Sequence, residues 1–174
     1  PRVLELGHGP GRLLAALAND HHAVYGVDFS PQMIRLARRR LLQARLPLHH
    51  TRARAQSLPF PSAWFDTVVS TFPAPYINDP ATLQEILRVL RPGGKLLVVQ
   101  GAVPQGRRPS ERLARLALSL GRSDEQLEPL RARFQAAFQQ AGFDGQAHWV
   151  PVPPDQLLIF EGRRPAQRTF PALL

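Results

Sequence analysis

The sequence predicts an α/β fold in which a doubly wound parallel sheet is covered by helices on both faces. Short apolar runs, typical of buried parallel strands, alternate along the chain with stretches of helical periodicity. The first of these runs ends in a glycine-rich turn that leads directly into a helix. Such a turn lies where open α/β sheets bind their ligands, at the carboxyl ends of the strands.

Strands and helices follow each other regularly up to residue 100. The predicted strands are Val3–Leu6, Ala23–Val27, Leu48–Ala55, Thr67–Thr71 and Lys95–Gln100. The first helix covers Arg12–Ala18, and the second begins with Ser30 as its N-cap and Pro31 as its first helical residue. A third helix, NDPATLQEILRVL, is capped by Asp79 and is stopped by the turn RPGG.

The pattern changes after residue 100. The remaining predicted elements are the helices Ser110–Leu120 and Ser123–Gln140 and the extended stretches His148–Val152 and Gln156–Phe160. Because the two extended stretches are joined by a short link, we expect an antiparallel pair. We expect one domain over residues 1–165 and a C-terminal tail over residues 166–174. Since the first strand begins almost at Pro1, which is not a methionine, we also expect residues upstream of Pro1 that this sequence lacks.

The composition is that of a basic chain without cysteine. The net charge is +9, and Lys95 is the single lysine among 22 basic residues. This charge can attract nucleic acid, although a general use of arginine on solvated helix faces also explains it. The absence of cysteine excludes disulfides and thiolate sites, and we expect a cytoplasmic protein. The six histidines show no metal-ligand spacing, so no metal site is predicted, and no apolar run approaches the roughly 18 residues of a membrane helix.

The glycine turn and two carboxylates together predict a nucleotide-like ligand. Gly7, Gly9 and Gly11 have the spacing G-x-G-x-G, which differs from the G-x-G-x-x-G of dinucleotide-binding proteins. Asp28 ends the second strand, where a carboxylate accepts hydrogen bonds from ribose hydroxyls of either NAD or a nucleoside such as S-adenosylmethionine. Glu5 lies within the first strand, and a carboxylate there suits an ammonium group better than a pyrophosphate. Glu5 therefore favours S-adenosylmethionine over NAD.

Four stretches of the sequence resemble the motifs of the class I S-adenosylmethionine-dependent methyltransferases. They are VLELGHGPGRL, VYGVDFSPQMI, LPFPSAWFDTVVSTF and ILRVLRPGGKLLVV, in this order over residues 3–100. The small-molecule subgroup related to ubiquinone and menaquinone methyltransferases is the most similar. AGFDGQAHWV and QLLIFEGRRP resemble the family's closing strand pair more loosely. The resemblance implies a Rossmann-like sheet of seven strands in the order 3-2-1-4-5-7-6, with only strand 7 antiparallel.

The resemblance also assigns roles to individual residues. It implies that Gly7, Gly9 and Gly11 wrap the methionine part of the cofactor, and that Glu5 orders this loop and holds the amino group. The implied contacts of the ribose, adenine and methionyl end are Asp28 for the ribose, Phe29, Met33, Ala55 and Gln56 for the adenine, and Thr71 for the methionyl end. For Met33, ordinary core packing is an equal alternative.

Arg54 departs from the family's pattern. Many relatives have an acidic residue at this position, which accepts a hydrogen bond from the adenine amino group, whereas arginine has no acceptor. We therefore expect the Arg54 side chain to point away from the adenine, toward solvent or an acidic partner.

The sequence shows no dedicated catalytic base. Methyl transfer is an in-line displacement, for which the protein mainly aligns the reactants. His8 and Tyr76 are weak candidates for a base near the mouth of the site, and Phe72, Tyr76, Trp149 and Phe160 are candidates for an apolar acceptor pocket. We expect a small, apolar or aromatic acceptor. The alternatives are an RNA or protein methyltransferase, favoured by the charge, and a non-catalytic methyltransferase-like domain, favoured by Arg54.

Overall fold

The computed structural model describes residues 1–73, 75–104, 124–152 and 155–166. Its strands are β1 (Arg2–Leu6), β2 (Ala23–Asp28), β3 (His50–Arg52), β4 (Phe65–Thr71), β5 (Leu90–Pro104), β6 (Asp144–Val152) and β7 (Asp155–Arg163). The α-helices of the described residues are α1 (Arg12–Asn19), α2 (Pro31–Gln43), α3 (Pro80–Val89) and α4 (Asp124–Gln140), and a 3-10 helix covers Pro75–Asn78.

The strands form one seven-stranded sheet with the order β3-β2-β1-β4-β5-β7-β6. Strands β1 to β5 pair in parallel, and β7 runs antiparallel to both of its neighbours. The predicted order and the single antiparallel strand are confirmed. Because the chain moves in one direction from β1 to β2 and in the other from β4 to β5, right-handed crossovers place α1 and α3 on opposite faces of the sheet.

The predicted helix starts are confirmed by their capping contacts. The Ser30 hydroxyl accepts a hydrogen bond from the backbone N–H of Met33 at 3.4 Å. The Asp79 carboxylate accepts one from the N–H of Ala81 at 2.9 Å. Each cap is followed by proline at the first helical position, where the missing N–H is not needed. These local signals set the directions in which α2 and α3 leave the carboxyl end of the sheet.

Two predicted strand lengths are wrong because pairing partners, rather than local sequence, set them. The third strand was expected over residues 48–55 but covers only three residues, since β2 ends at Asp28 opposite Arg52. The fifth strand extends well beyond the predicted Lys95–Gln100. Leu90 already pairs with Phe65, so the RPGG stretch is an irregularity within β5 rather than its boundary.

The C-terminal strands are also longer than expected, since β6 and β7 pair over their whole lengths and β7 pairs with β5 from Lys95 to Pro104. The predicted helix over residues 110–120 lies outside the described residues, as do Ser123 and residues 167–174 of the predicted tail.

The two faces of β1 have different surroundings. Leu4 and Leu6 are fully buried in the main cluster, together with Ile86 of α3 and Phe138 of α4. A smaller cluster joins Leu14 of α1, Val24 of β2 and Leu41 of α2. The side chain between the two leucines, Glu5, points to the α1 side, where the backbone N–H of Leu14 meets it. The two leucines and Glu5 thus face opposite sides of the sheet, as alternation along a strand requires.

Candidate active site

A cavity of about 470 Å³ opens where the sheet order reverses, at the carboxyl ends of β1, β2 and β4. Its wall consists of residues 6–7, 27–30, 53–56, 72–73 and 76. Four parts of the chain therefore meet around it, because residues 72–73 and 76 both belong to the stretch after β4. Such switch points are where open α/β sheets bind ligands, and the volume lies within the usual range for small-molecule sites.

The three glycines of the first turn all have left-handed backbone conformations, with φ of 69°, 52° and 73° at Gly7, Gly9 and Gly11. A side chain is therefore strained at each position. Only Gly7 lies in the cavity wall. A Cβ on Gly7 would clash with the hydroxyl of Tyr76, and one on Gly11 would lie 2.9 Å from Cβ of Ala37. The first glycine thus makes room for Tyr76, and the third allows α1 to approach α2.

Asp28 ties the glycine loop to the start of α2. Its carboxylate accepts hydrogen bonds from the backbone N–H of Gly9 at 2.9 Å and from that of Ser30 at 2.8 Å. Asp28 also lies in the cavity wall. Since an ionised carboxylate offers about four acceptor sites, two bonds to backbone leave capacity for hydroxyl donors of a ligand.

Glu5 lies beneath the glycine loop rather than in the cavity wall. The residue is 2% exposed, and Oε2 of its carboxylate has no hydrogen-bond partner. Burial raises the pKa of Glu5 to about 8, the Asp28 charge adds to this, and the backbone N–H of Leu14 opposes it. A buried oxygen without a partner is costly, and a nearby cation would relieve that cost.

The Phe29 end of the cavity is aromatic and basic. Phe29 is 52% exposed and lies in the wall, together with Ala55 and Gln56. The guanidinium carbon of Arg54 lies 4.7 Å from the centroid of the Phe29 ring, and that of Arg52 lies 5.3 Å from it. We expected Arg54 to point toward solvent or an acidic partner. Arg54 is exposed to solvent, and its guanidinium also lies over the exposed Phe29 ring, a favourable cation–π arrangement, and the residue forms part of the wall.

Several predicted residues do not reach the cavity wall. His8 is buried behind the loop, where Nδ1 lies 2.7 Å from the carbonyl oxygen of Gly9 and the ring packs edge-on against His50. His8 is therefore not placed as a catalytic base. Met33, Thr71, Gly9 and Gly11 are also outside the wall.

The acceptor candidates divide into two groups. Phe160 is fully buried in the core, and Trp149 packs against the same cluster, so neither is available for an acceptor. Phe72 and Tyr76 do lie in the wall. The Tyr76 hydroxyl donates to the carbonyl oxygen of Leu6 at 3.3 Å and lies 3.4 Å from Oγ of Ser70. Burial raises the pKa of Tyr76, so it keeps its proton at neutral pH and is a poor general base.

Other wall residues were missed by the sequence analysis. They are the apolar Leu6, Val27, Ala53 and Pro73, together with Ser30, which was identified only as a helix cap. Their common signal is position, because each lies at or just beyond the carboxyl end of a strand. Apolar residues at strand ends resemble core residues in sequence, so only the assembled sheet distinguishes the two.

Known proteins resemble this chain at the levels of sequence and fold. A family model described as a methyltransferase domain matches residues 3–94. The demethylmenaquinone methyltransferase of Clavibacter sepedonicus is 38% identical over 105 residues, which cover 59% of this chain and 42% of that protein. A ubiquinone/menaquinone biosynthesis C-methyltransferase of Vibrio campbellii is 34% identical over 109 residues, again 59% and 42%. The chain thus spans about two fifths of the length of these relatives.

The solved structures agree in fold. The crystal structure of a SAM-dependent methyltransferase from Aquifex aeolicus superimposes with a TM-score of 0.67 at 17% identity, over 94% of this chain and 81% of that one. In the part of the chain that the structure describes, no helix is long and apolar enough to cross a membrane. The family match over more than half of the chain, the sheet order and the cavity at the switch point agree. This chain therefore belongs to the methyltransferase domain family, and its fold is that of the class I S-adenosylmethionine-dependent methyltransferases.

Proposed function

We propose that this chain is an S-adenosylmethionine-dependent methyltransferase that transfers a methyl group in line to a small, apolar or aromatic acceptor. The observation that carries this proposal is Asp28, a cavity-wall carboxylate that is hydrogen-bonded to the glycine loop on one side and to the start of α2 on the other. Asp28 offers an acceptor for ligand hydroxyls, and the glycine loop beside it leaves room for the ligand.

The residues around the cavity fit this cofactor. Asp28 has acceptor capacity left for the ribose hydroxyls. Phe29 presents an exposed ring against which an adenine stacks, with Ala55 and Gln56 beside it in the wall. Beneath the glycine loop, the buried Glu5 oxygen without a partner provides a counter-charge for the ammonium group of the methionine part. We assign Gly7 to the methionine end because it lies in the wall next to Tyr76.

The protein's own contribution to the reaction is positioning. When bound, S-adenosylmethionine supplies an electrophilic methyl group, whose bond to sulfur breaks as the acceptor's electron pair forms the new bond. Among the described wall residues, Tyr76 keeps its proton, and the Asp28 carboxylate is held by the glycine loop and the start of α2, so neither is placed as a dedicated base. The acceptor therefore has to bring its own nucleophilic electron pair, and the rate depends on alignment in the cavity.

The wall favours an apolar acceptor. Of the apolar residues in the wall, Ala53, Phe72 and Pro73 are at least partly exposed, whereas Leu6 and Val27 are buried. Of the relatives to which the chain is similar, the Clavibacter protein is named for demethylmenaquinone and the Vibrio protein for ubiquinone and menaquinone biosynthesis, and quinones are ring-containing molecules. We therefore propose a ring-containing, uncharged acceptor and retain a cytoplasmic location as a prediction.

RNA methylation is the second candidate, and the net charge of +9 favours it. Binding through phosphate contacts weakens steeply as salt rises, whereas binding of an uncharged ring does not. Methyl transfer from labelled cofactor is therefore to be measured in parallel on reduced demethylmenaquinone and on total RNA, at low and high salt. Faster labelling of RNA would replace the proposed acceptor by nucleic acid.

Cofactor binding is tested by calorimetry with S-adenosylhomocysteine. We expect Asp28→Ala to weaken binding by about 1.5–3 kcal/mol, since hydrogen bonds to a charged acceptor are lost. Asp20→Asn is the matched control, because Asp20 is exposed at the end of α1 and should leave the affinity unchanged. Thermal unfolding of both variants shows whether the fold is retained. Absence of binding by the unmodified protein at millimolar cofactor would refute the proposed cofactor.

A further inference from the structure

The residue directly after β4, Phe72, has an unusual backbone conformation. Its φ is +49°, in the left-handed region that a bulky aromatic residue rarely adopts. The next residue is Pro73, and proline already restricts the residue before it to extended conformations. The backbone N–H of Phe72 donates to the carbonyl oxygen of Val99 at 2.7 Å, which holds it against β5. The fold therefore maintains a conformation that costs free energy.

This conformation removes the Phe72 ring from the core. In a regular strand, residues 68, 70 and 72 lie on the same face, and Val68 and Ser70 are fully buried. A continued β4 would thus direct Phe72 toward the core. Instead the side chain is 60% exposed, the highest exposure of any large hydrophobic side chain in the described residues. Strain and exposed apolar surface are both unfavourable, and their coincidence in a cavity wall indicates use by a ligand.

Phe72 also lies on the opposite side of the cavity from the second exposed aromatic residue in the wall. Phe29 follows β2, whereas Phe72 follows β4, on the other side of β1 in the sheet. In the proposed function Phe29 contacts the adenine. Phe72 follows β4, as does Tyr76, whose hydroxyl lies next to Gly7. Phe72 is then on the side of the methionine end, where an acceptor meets the methyl group.

We propose that the strained Phe72 is the acceptor-binding platform, whose exposed ring stacks against an uncharged planar ring of the acceptor. This inference rests on the proposed function and names the residue that selects the acceptor. The other wall residues that follow β4, Pro73 and Tyr76, carry no charge at neutral pH, which supports an uncharged ring. Aromatic rings prefer offset or edge-on contacts with each other, which gives the interaction both affinity and direction.

The experiment measures binding of 1,4-naphthoquinone to protein saturated with S-adenosylhomocysteine. The chain has no cysteine with which this quinone could react through a thiol. The variants are Phe72→Gly, Phe72→Tyr and, as matched control, Ala63→Gly. Ala63 is also exposed with a positive φ, of 55°, and its N–H also donates to a backbone carbonyl, that of Arg88, at 2.8 Å.

Relief of strain should raise the thermal midpoint of both glycine variants by about 2–4 °C. Only Phe72→Gly should weaken quinone binding, by about tenfold, and Phe72→Tyr should keep it within twofold. Binding of S-adenosylhomocysteine should be unchanged in all three variants.

Two binding results would overturn the inference while leaving the proposed function intact. One is quinone affinity within twofold of the unmodified protein in Phe72→Gly. The other is a lack of saturable quinone binding by the unmodified, cofactor-loaded protein. A lower midpoint in Phe72→Gly would also overturn it, since the ring would then serve packing. Failure of the unmodified protein to bind S-adenosylhomocysteine at all would instead refute the proposed function.

Discussion

Replacing Glu5 by glutamine should change how stability depends on pH. The pKa of Glu5 is about 8 in the folded protein and 4.5 for an ordinary glutamate. Between these two values the folded state holds a proton that the unfolded state has lost, so stability falls as pH rises. The favourable contribution is complete below pH 4.5 and is lost as the pH passes through about 8.

The size of the effect follows from the two pKa values. A rise from 4.5 to about 8, at about 1.4 kcal/mol per pKa unit, corresponds to roughly 4–5 kcal/mol. Glutamine has the same shape and no charge to lose. The unmodified protein should therefore lose several kcal/mol of unfolding free energy as the pH is raised from 5 to 9, whereas Glu5→Gln should not. The variant thus becomes the more stable of the two, relative to its value at pH 5, by that amount. Urea unfolding at pH 5, 7 and 9 measures this, with the exposed Glu161→Gln as control.

The same residue links cofactor binding to proton release. At pH 7 the Glu5 carboxyl of the free protein is largely protonated. If the ammonium group of the cofactor binds near it, the carboxyl ionises and close to one proton is released. Calorimetry of S-adenosylhomocysteine binding in phosphate and in Tris buffer measures the number of protons released, because the two buffers take up a proton with different enthalpies. Equal proton release by the unmodified protein and Glu5→Gln, together with parallel stability profiles, would refute the reasoning.

Two further predictions concern Arg54 and Gly26. Arg54→Asp should leave the affinity for S-adenosylhomocysteine unchanged or improve it, because the arginine lies over the Phe29 ring that we assign to the adenine. A marked loss of affinity, measured by calorimetry, would show that Arg54 itself binds the cofactor. Gly26→Ala should destabilise the protein by about 1–3 kcal/mol, since the new Cβ would lie 2.9 Å from Cδ2 of His8. Gly101→Ala is its control, as nothing lies within 4 Å of a Cβ there, and equal urea midpoints for both variants would contradict the packing argument.

Much of the candidate site followed from the sequence because its signals are local. The ends of β1 and β2 could be predicted from apolar runs that stop at Gly7 and Asp28. The carboxylate of Asp28 and the exposed ring of Phe29 are in the wall as expected. Their roles toward the cofactor remain predictions. The side-chain positions of Arg54 and His8 were harder to predict, because a side chain's direction depends on neighbours that are distant in sequence.

The sequence by itself determined the element order, the helix caps at Ser30 and Asp79, and the family. The elements and caps depend on periodicities and hydrogen bonds within a few residues, and the family is identified from short motifs. All of these signals can be read from a local stretch of the chain. Only the tertiary structure decided that Tyr76 fills the space above Gly7 and that the RPGG stretch lies within β5. It also decided that the Phe72 ring leaves the core. These outcomes depend on pairing and packing between segments far apart in the chain, and such contacts have no local signal.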